Sequence, residues 1–68
     1  MKKEHKFELL QNAHKTLSAL SEIYTELAEV FMTESDRENS EMFLNKTDVV
    51  IEEMRLINKI TATAFNLK

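Results

Sequence analysis

The chain has 68 residues, 43% hydrophobic and 31% charged, with a formal net charge of −3 and no cysteine, glycine or proline. Missing cysteines exclude a disulfide scaffold, and missing Gly-rich tight turns argue against a β or mixed fold, so the composition predicts an all-α protein. A single domain of this size buries so little surface that it usually gains support from a disulfide, a metal or a second subunit.

Apolar residues recur at helical spacing in the first half of the chain. Three rows can be traced, two with steps of seven residues and one beside them: Leu10, Leu17, Tyr24 and Phe31; Ala13, Leu20 and Leu27; Leu9, Ile23 and Val30. Together they cover roughly 160° of a helix surface. A two-stranded coiled coil needs only two rows, so the third predicts contact with more than one neighbouring helix.

His14 lies at the edge of this apolar surface, in the stretch Ala13-His14-Lys15-Thr16-Leu17. A histidine on the first helix of a hairpin resembles the phosphoacceptor domain of sensor kinases and related phosphotransferases. Those families have an acidic residue directly after the histidine, where this chain has Lys15. Histidine phosphotransfer through His14 stays an alternative, beside an interfacial histidine that would make association sensitive to pH.

No other chemical motif is recognised in the sequence. His5 and His14 are nine residues apart and have no carboxylate at a recognised ligand spacing, so no metal site is predicted. A Gly-rich phosphate loop and a nucleophile elbow are also missing. We therefore predict neither an enzyme nor a cofactor, and association with another chain is the support that remains.

The apolar pattern stops after Met32, and residues 33–41 hold no apolar side chain. A continued helix would turn the carboxylates of Glu34 and Glu38 toward the core, where an unpaired charge is costly. Ser35 and Glu38 have the spacing of a capping box that would start a new helix at Ser35. The predicted segments are a helix at about 3–32, a turn at about 32–35 and a second helix at about 36–66.

Apolar residues of the second helix spread over roughly 240° of its circumference, more than one neighbouring helix covers. We predict an antiparallel two-helix hairpin, one domain over residues 1–68, that completes a four-helix bundle by dimerisation or with a partner protein. The predicted core is Leu10, Leu17, Leu20, Tyr24, Leu27, Phe31, Phe43, Val50, Ile57 and Ile60. The residues predicted to contact the other chain are Leu44, Ile51, Met54 and Phe65, with Phe43 and Ile57 beside them.

Charge is distributed unevenly along the predicted hairpin. Residues 22–41 hold seven acidic side chains against Arg37 alone, whereas residues 1–15 and 55–68 together hold seven basic side chains against two acidic ones. The turn end is therefore acidic and the opposite end basic. Three interpretations are open: head-to-tail packing of two hairpins, ordinary solvated helix surfaces, and docking of the acidic tip on a basic partner.

The expected architecture resembles small plasmid-type RNA-binding hairpins that dimerise into four-helix bundles, which implies an RNA-binding regulator as a second alternative. Its contacts would be Lys2, Lys3, Lys6, Lys15, Arg55, Lys59 and Lys68. Aromatic residues for base stacking are not grouped among them, and the net charge is negative, so nucleic-acid binding is not the favoured reading. The general form, with its length and two antiparallel helices, also looks like the helical-hairpin co-chaperones of type III secretion systems, a role that the stretch 49–57 would suit, and small phage-encoded inhibitors of host proteins fit the same description.

The favoured hypothesis is a small non-enzymatic interaction module, such as an adaptor, a co-chaperone or a regulator. It would act by helix–helix packing on a protein partner or on a second copy. The longest apolar run, residues 49–51, is far shorter than the ~20 residues that cross a bilayer, and the basic N-terminus lacks an apolar signal-peptide core. We therefore expect a cytoplasmic protein that does not bind membranes.

Overall fold

The computed structural model describes the backbone of residues 3–64 and the side chains of residues 4–64. Two helices, α1 (Lys3–Thr33) and α2 (Arg37–Ala64), run antiparallel and pack against each other in a rod of 49 × 17 × 16 Å. No strand occurs in this part of the chain, and the predicted all-α, two-helix fold is confirmed. Residues 65 and 66, which the sequence assigned to the second helix, lie outside the described residues.

The turn is built around Ser35, which ends α1 in a left-handed conformation with φ of 62°. The backbone N–H of Asp36 donates to the carbonyl of Phe31 at 2.8 Å, and that of Ser35 donates to the carbonyl of Met32 at 3.0 Å. This pair of bonds is a Schellman motif, whose left-handed position is usually a glycine because glycine has no Cβ to clash. Since the chain has no glycine, Ser35 takes that position.

The cap of α2 is therefore Asp36 and not Ser35, one residue later than the sequence predicted. One carboxylate oxygen of Asp36 accepts the backbone N–H of Asn39 at 3.2 Å, and the other accepts its side-chain amide at 2.7 Å. Ser35 cannot cap α2 in this arrangement because its backbone already closes α1. An aspartate at this position also interacts favourably with the positive end of the helix dipole.

The helices meet along a seam whose positions alternate by steps of three and four residues, as in an antiparallel coiled coil. Every seam side chain is buried or half-buried. On α1 the seam residues are Phe7, Leu10, His14, Leu17, Ser21, Tyr24, Ala28 and Phe31; on α2 they are Ser40, Phe43, Thr47, Val50, Met54, Ile57 and Thr61. The second row of α1 in the seam is thus the row of His14 and Ala28, and the more apolar row of Ala13, Leu20 and Leu27 lies beside it.

Small and aromatic residues hold the seam together near the turn. Ser40 is 1% exposed, and its hydroxyl donates to the carbonyl of Ala28 across the two helices at 2.8 Å. The ring of Phe43 lies between two aromatic rings of α1, with centroids 5.7 Å from Tyr24 and 5.6 Å from Phe31. Close approach of the backbones at the small side chains and ring contacts beside them fix the relative height of the two helices.

Elsewhere the hydroxyl groups in the seam bond to their own helix. Those of Thr47 and Thr61 donate to carbonyls four residues earlier at 2.9 and 2.8 Å, and that of Ser21 donates to the carbonyl three residues earlier at 2.8 Å. These bonds satisfy the hydroxyls without linking the helices. Among the described residues, only Ala28 and Val50 have buried apolar side chains, at 3% and 5% exposure, so the seam alone buries little apolar surface.

Candidate protein-interaction surface

A continuous stripe of largely apolar residues runs along α1 beside the seam. Its members follow one another at alternating steps of four and three residues: Leu9, Ala13, Thr16, Leu20, Ile23, Leu27 and Val30. Such steps place them on one side of the helix. Leu20 and Leu27 are half-buried at the border of the seam, whereas Leu9, Ile23 and Val30 are exposed.

A matching stripe runs along α2 with the same steps. It consists of Met42, Lys46, Val49, Glu53, Leu56 and Ile60, all of which are exposed. Val49 and Leu56 are the most exposed large apolar side chains of the described residues, at 58% and 56%. The α2 stripe therefore presents its aliphatic groups to solvent along about five turns of helix.

The two stripes lie on the same side of the hairpin. In an antiparallel pair, the residues that flank the seam on one side of one helix face their equivalents on the other helix. The opposite side shows this directly, because Gln11 and Ser18 of α1 and Asn58 of α2 line one open groove of about 770 Å³. We call the surface formed by the two stripes the apolar face and the opposite side the polar flank.

The apolar face exposes its large side chains, while the seam that holds the hairpin together includes several polar ones. The large apolar side chains of the face outside the seam border are 41% to 58% exposed, whereas three of the seven α2 seam residues carry a hydroxyl. Monomeric proteins rarely expose so continuous an apolar surface, and large patches mark sites of interaction. The isolated hairpin therefore leaves a second apolar surface uncovered beside its seam.

Two opposite charges interrupt the apolar face, both on α2. Lys46 and Glu53 are seven residues apart, which puts their Cα atoms ~10.5 Å apart along the helix, too far for a mutual ion pair. Among the described side chains, neither forms an ion pair, and the salt bridge of this helix joins Arg55 to Glu52 on its outer surface. Any chain that covers the apolar face must therefore supply a partner for one positive and one negative charge.

The polar flank carries His14, the candidate for phosphotransfer. Its side chain is half-buried in the seam and lines the open groove together with Lys15, Ser18 and Glu22. Leu44 and Ile51 lie on the same flank, where they are 46% and 37% exposed. These two aliphatic side chains form a narrower apolar strip than the stripes of the apolar face.

The predicted contact residues are thus divided among different parts of the molecule. Leu44 and Ile51 are exposed, Met54 is half-buried in the seam with Phe43 and Ile57, and Phe65 lies outside the described residues. Sequence reasoning did not single out Met42, Val49 and Leu56 as an outward row, and it placed Ile60 in the core although it is 44% exposed. The signal that could have found the row is the 3-4 spacing of small and hydroxyl residues, which marks the true seam.

Within residues 3–64, neither helix combines the length and the apolar content needed to cross a membrane. The same residues contain no group of three or more His, Asp or Glu side chains arranged to hold a metal ion. Comparison of the chain with family models, with curated proteins and with solved structures finds no significant match.

Proposed function

We propose that this protein is a small non-enzymatic interaction module whose apolar face packs against helices of another chain and so completes a four-helix bundle. The observation that carries the proposal is the exposure of the apolar face. Its widest aliphatic surface is solvent-exposed, while its seam is rich in hydroxyl groups. A fold that leaves its most apolar side uncovered gains most from a partner that covers it.

The free energy of burying apolar side chains also favours a covered apolar face. Complete burial of a Val, Leu, Ile or Met side chain contributes about 1.5–3 kcal/mol relative to full exposure. The large apolar side chains of the apolar face are about half exposed, so covering them together adds several kcal/mol, on the order of the stability of a small domain. An adaptor, a co-chaperone or a regulator would use this gain to couple its own folding to binding.

The shape of the surface defines the kind of partner. The apolar face runs along about 30 Å of a 49 Å rod and has its aliphatic groups in two parallel stripes. Two further helices laid along these stripes give the packing of a four-helix bundle, in which each helix contacts two neighbours. A partner that offers two helices, or one helical hairpin, fits this geometry.

A matched pair of substitutions tests the proposal. Leu56→Asp puts a charge on the apolar face, and Leu44→Asp puts the same charge on the polar flank at a residue of similar exposure, 46% against 56%. We expect Leu56→Asp to abolish association and to lower helicity, and Leu44→Asp to leave both near the wild-type level. Light scattering after size exclusion and circular dichroism measure the two quantities.

The opposite result is equally definite. If the wild-type chain is a stable helical monomer at every concentration, and both variants match it in mass, helicity and melting temperature, the apolar face needs no cover and the proposed function is wrong. If Leu44→Asp is the damaging variant, the interaction surface is the polar flank.

A further inference from the structure

We infer that the chain covering the apolar face is a second copy of this protein, packed head to tail so that α2 lies antiparallel on α2 of the second copy about a two-fold axis beside Val49. This inference rests on the proposed function and adds the identity, direction and register of the partner. It is argued from the two charges in the apolar face, the order of its apolar residues and the charges at the two ends of the rod.

Two-fold symmetry allows two ways to join a pair of apolar faces. With the axis parallel to the helices, α1 of one copy packs on α2 of the other, and the two turn ends lie together. With the axis across the helices, each helix packs antiparallel on its own equivalent, and each turn end lies beside the open end of the other copy. The side chains on α2 distinguish the two arrangements.

The crosswise axis pairs both charges of the apolar face. Lys46 and Glu53 lie at nearly equal distances on either side of Val49, in the order positive, apolar, negative. Reversing the direction of a second α2 about that point brings Lys46 of one copy to Glu53 of the other, and symmetry forms the same pair again. Both charges then form ion pairs where the surface loses contact with water.

The axis parallel to the helices leaves the charges without partners. Ser40 lies opposite Ala28, so Lys46 is level with residues near position 22 of α1. The stripe of α1 carries Leu20 and Ile23 at that height, and neither can pair with an ammonium group. An unpaired charge in a dry interface costs several kcal/mol, so the crosswise arrangement is favoured.

The apolar side chains agree with the crosswise axis. It places Val49 beside Val49 of the second copy and Met42 beside Leu56 of the second copy. At the corresponding height of α1, near position 19, it places Leu9 between Leu27 and Val30 of the second copy. Each of these contacts joins aliphatic groups, whereas at the end of the α2 stripe Ile60 comes level with Glu38 of the second copy.

The ends of the rod and its size point the same way. The turn end carries Glu29, Glu34 and Glu38, and the open end carries Lys6 and Lys59. Head-to-tail packing brings unlike ends together, which favours this direction over the parallel one even where salt screens the energy. The whole side of the rod that carries the apolar face measures 49 by 17 Å, about the 800 Å² per partner that a standard-size interface buries.

Charge exchange tests the register. Lys46→Glu and Glu53→Lys each place like charges together twice per dimer, so each should weaken dimerisation at least about tenfold. The double variant restores the pairs with reversed sign and should return the dissociation constant to within a few-fold of wild type. Asp48→Lys makes the same charge change on the outer surface of α2 and should leave it unchanged. Sedimentation equilibrium measures the four constants.

A thiol placed at the axis tests the symmetry. The chain has no cysteine, so Val49→Cys supplies its only thiol. Two such thiols at the axis should be joined rapidly by oxidation or by a short bismaleimide, whereas Ile51→Cys on the polar flank should react only at the rate of random encounter. Non-reducing electrophoresis of the folded protein follows both reactions.

The outcomes distinguish failure of the crosswise dimer from failure of the proposed function. If single charge variants have no effect, if the double variant fails to recover, or if Val49→Cys couples no faster than Ile51→Cys, the crosswise dimer is wrong. If the chain is a helical monomer whose helicity is still lowered by Leu56→Asp, a second copy is excluded as the partner while the proposed function stands. If Leu56→Asp changes nothing at all, both fail together.

Discussion

Ser35 shows how the lack of glycine affects the turn. A left-handed conformation brings the Cβ of an L-residue close to the following carbonyl, at a cost of about 1–2 kcal/mol. The chain accepts this cost at one described position, φ 62°, because the Schellman bonds and the Asp36 cap on either side both depend on it. The turn is thus formed against a local preference by the bonds that flank it.

Replacing Ser35 with glycine should stabilise the protein. Glycine adopts the left-handed conformation without a clash, and its greater freedom in the unfolded chain offsets part of the gain, so we expect the free energy of unfolding to rise by about 0.5–1 kcal/mol. Urea unfolding at fixed protein concentration measures the change. Ser35→Ala keeps the Cβ and serves as the control. An unchanged midpoint in Ser35→Gly would mean that the turn holds no such strain.

The position of the cap shows where sequence reasoning reached its limit. Ser35 and Asp36 are both good capping residues, and the Ser-x-x-Glu spacing of Ser35 and Glu38 favours the first. The decision depends on which residue adopts the left-handed conformation, and a glycine would normally have marked it. Without one, the sequence located the turn to within a few residues and the structure identified its roles.

At the scale of the helices, the sequence pattern had to distinguish the residues of the seam from those of the apolar face, because both sets are largely apolar. The sequence predicted two helices correctly, because long 3.6-residue periodicity and a charged break between them are strong signals. The predicted core rows that run from Leu10 to Phe31 and from Phe43 to Ile57 do lie in the seam, but Ile60, also assigned to the core, is exposed. The second seam row of α1 is that of Ala28, which contacts Ser40, and not that of Leu20 and Leu27.

Thr47 provides a measure of how polar the seam is. Its hydroxyl bonds to the carbonyl of Phe43, which as a helix carbonyl has a backbone donor as well, so Thr47→Val removes a polar atom without leaving an unsatisfied partner. We expect a gain of about 0.5 kcal/mol in unfolding free energy, since a methyl group replaces a hydroxyl in a half-buried site.

Thr33→Val is the matched control for this substitution. Thr33 makes the same kind of bond, to the carbonyl of Glu29 at 2.9 Å, but its side chain is exposed. Its replacement should change stability much less. Thermal unfolding of both variants at equal protein concentration compares the two changes in melting temperature. Equal shifts would show that helix preference and not burial in the seam accounts for the effect.

For the whole molecule, folding and association should be coupled. A partner that binds only the folded chain raises the melting temperature with concentration, so dilution should lower it. The ion pairs proposed for Lys46 and Glu53 should also make the dimer sensitive to sodium chloride, because the screening length falls from ~10 Å at 0.1 M to ~3 Å at 1 M.

Substituting both charges by leucine isolates that contribution. Lys46→Leu/Glu53→Leu should keep the dimer, since apolar groups replace a paired set of charges, and should remove most of its dependence on salt. Sedimentation at low and high salt compares the variant with wild type. A variant that keeps the full salt dependence would assign it to the charged ends of the rod.

The buried hydrogen bond of Ser40 and the rings around Phe43 all lie near the turn, so the two ends of the hairpin are not equally firm. Farther along, the threonine hydroxyls bond within their own helix and form no hydrogen bond across the seam. We therefore expect the helices to separate first at the end away from the turn. In a head-to-tail pair, the turn end of each copy lies over the open end of the other, so that each copy holds the helix ends of the other together.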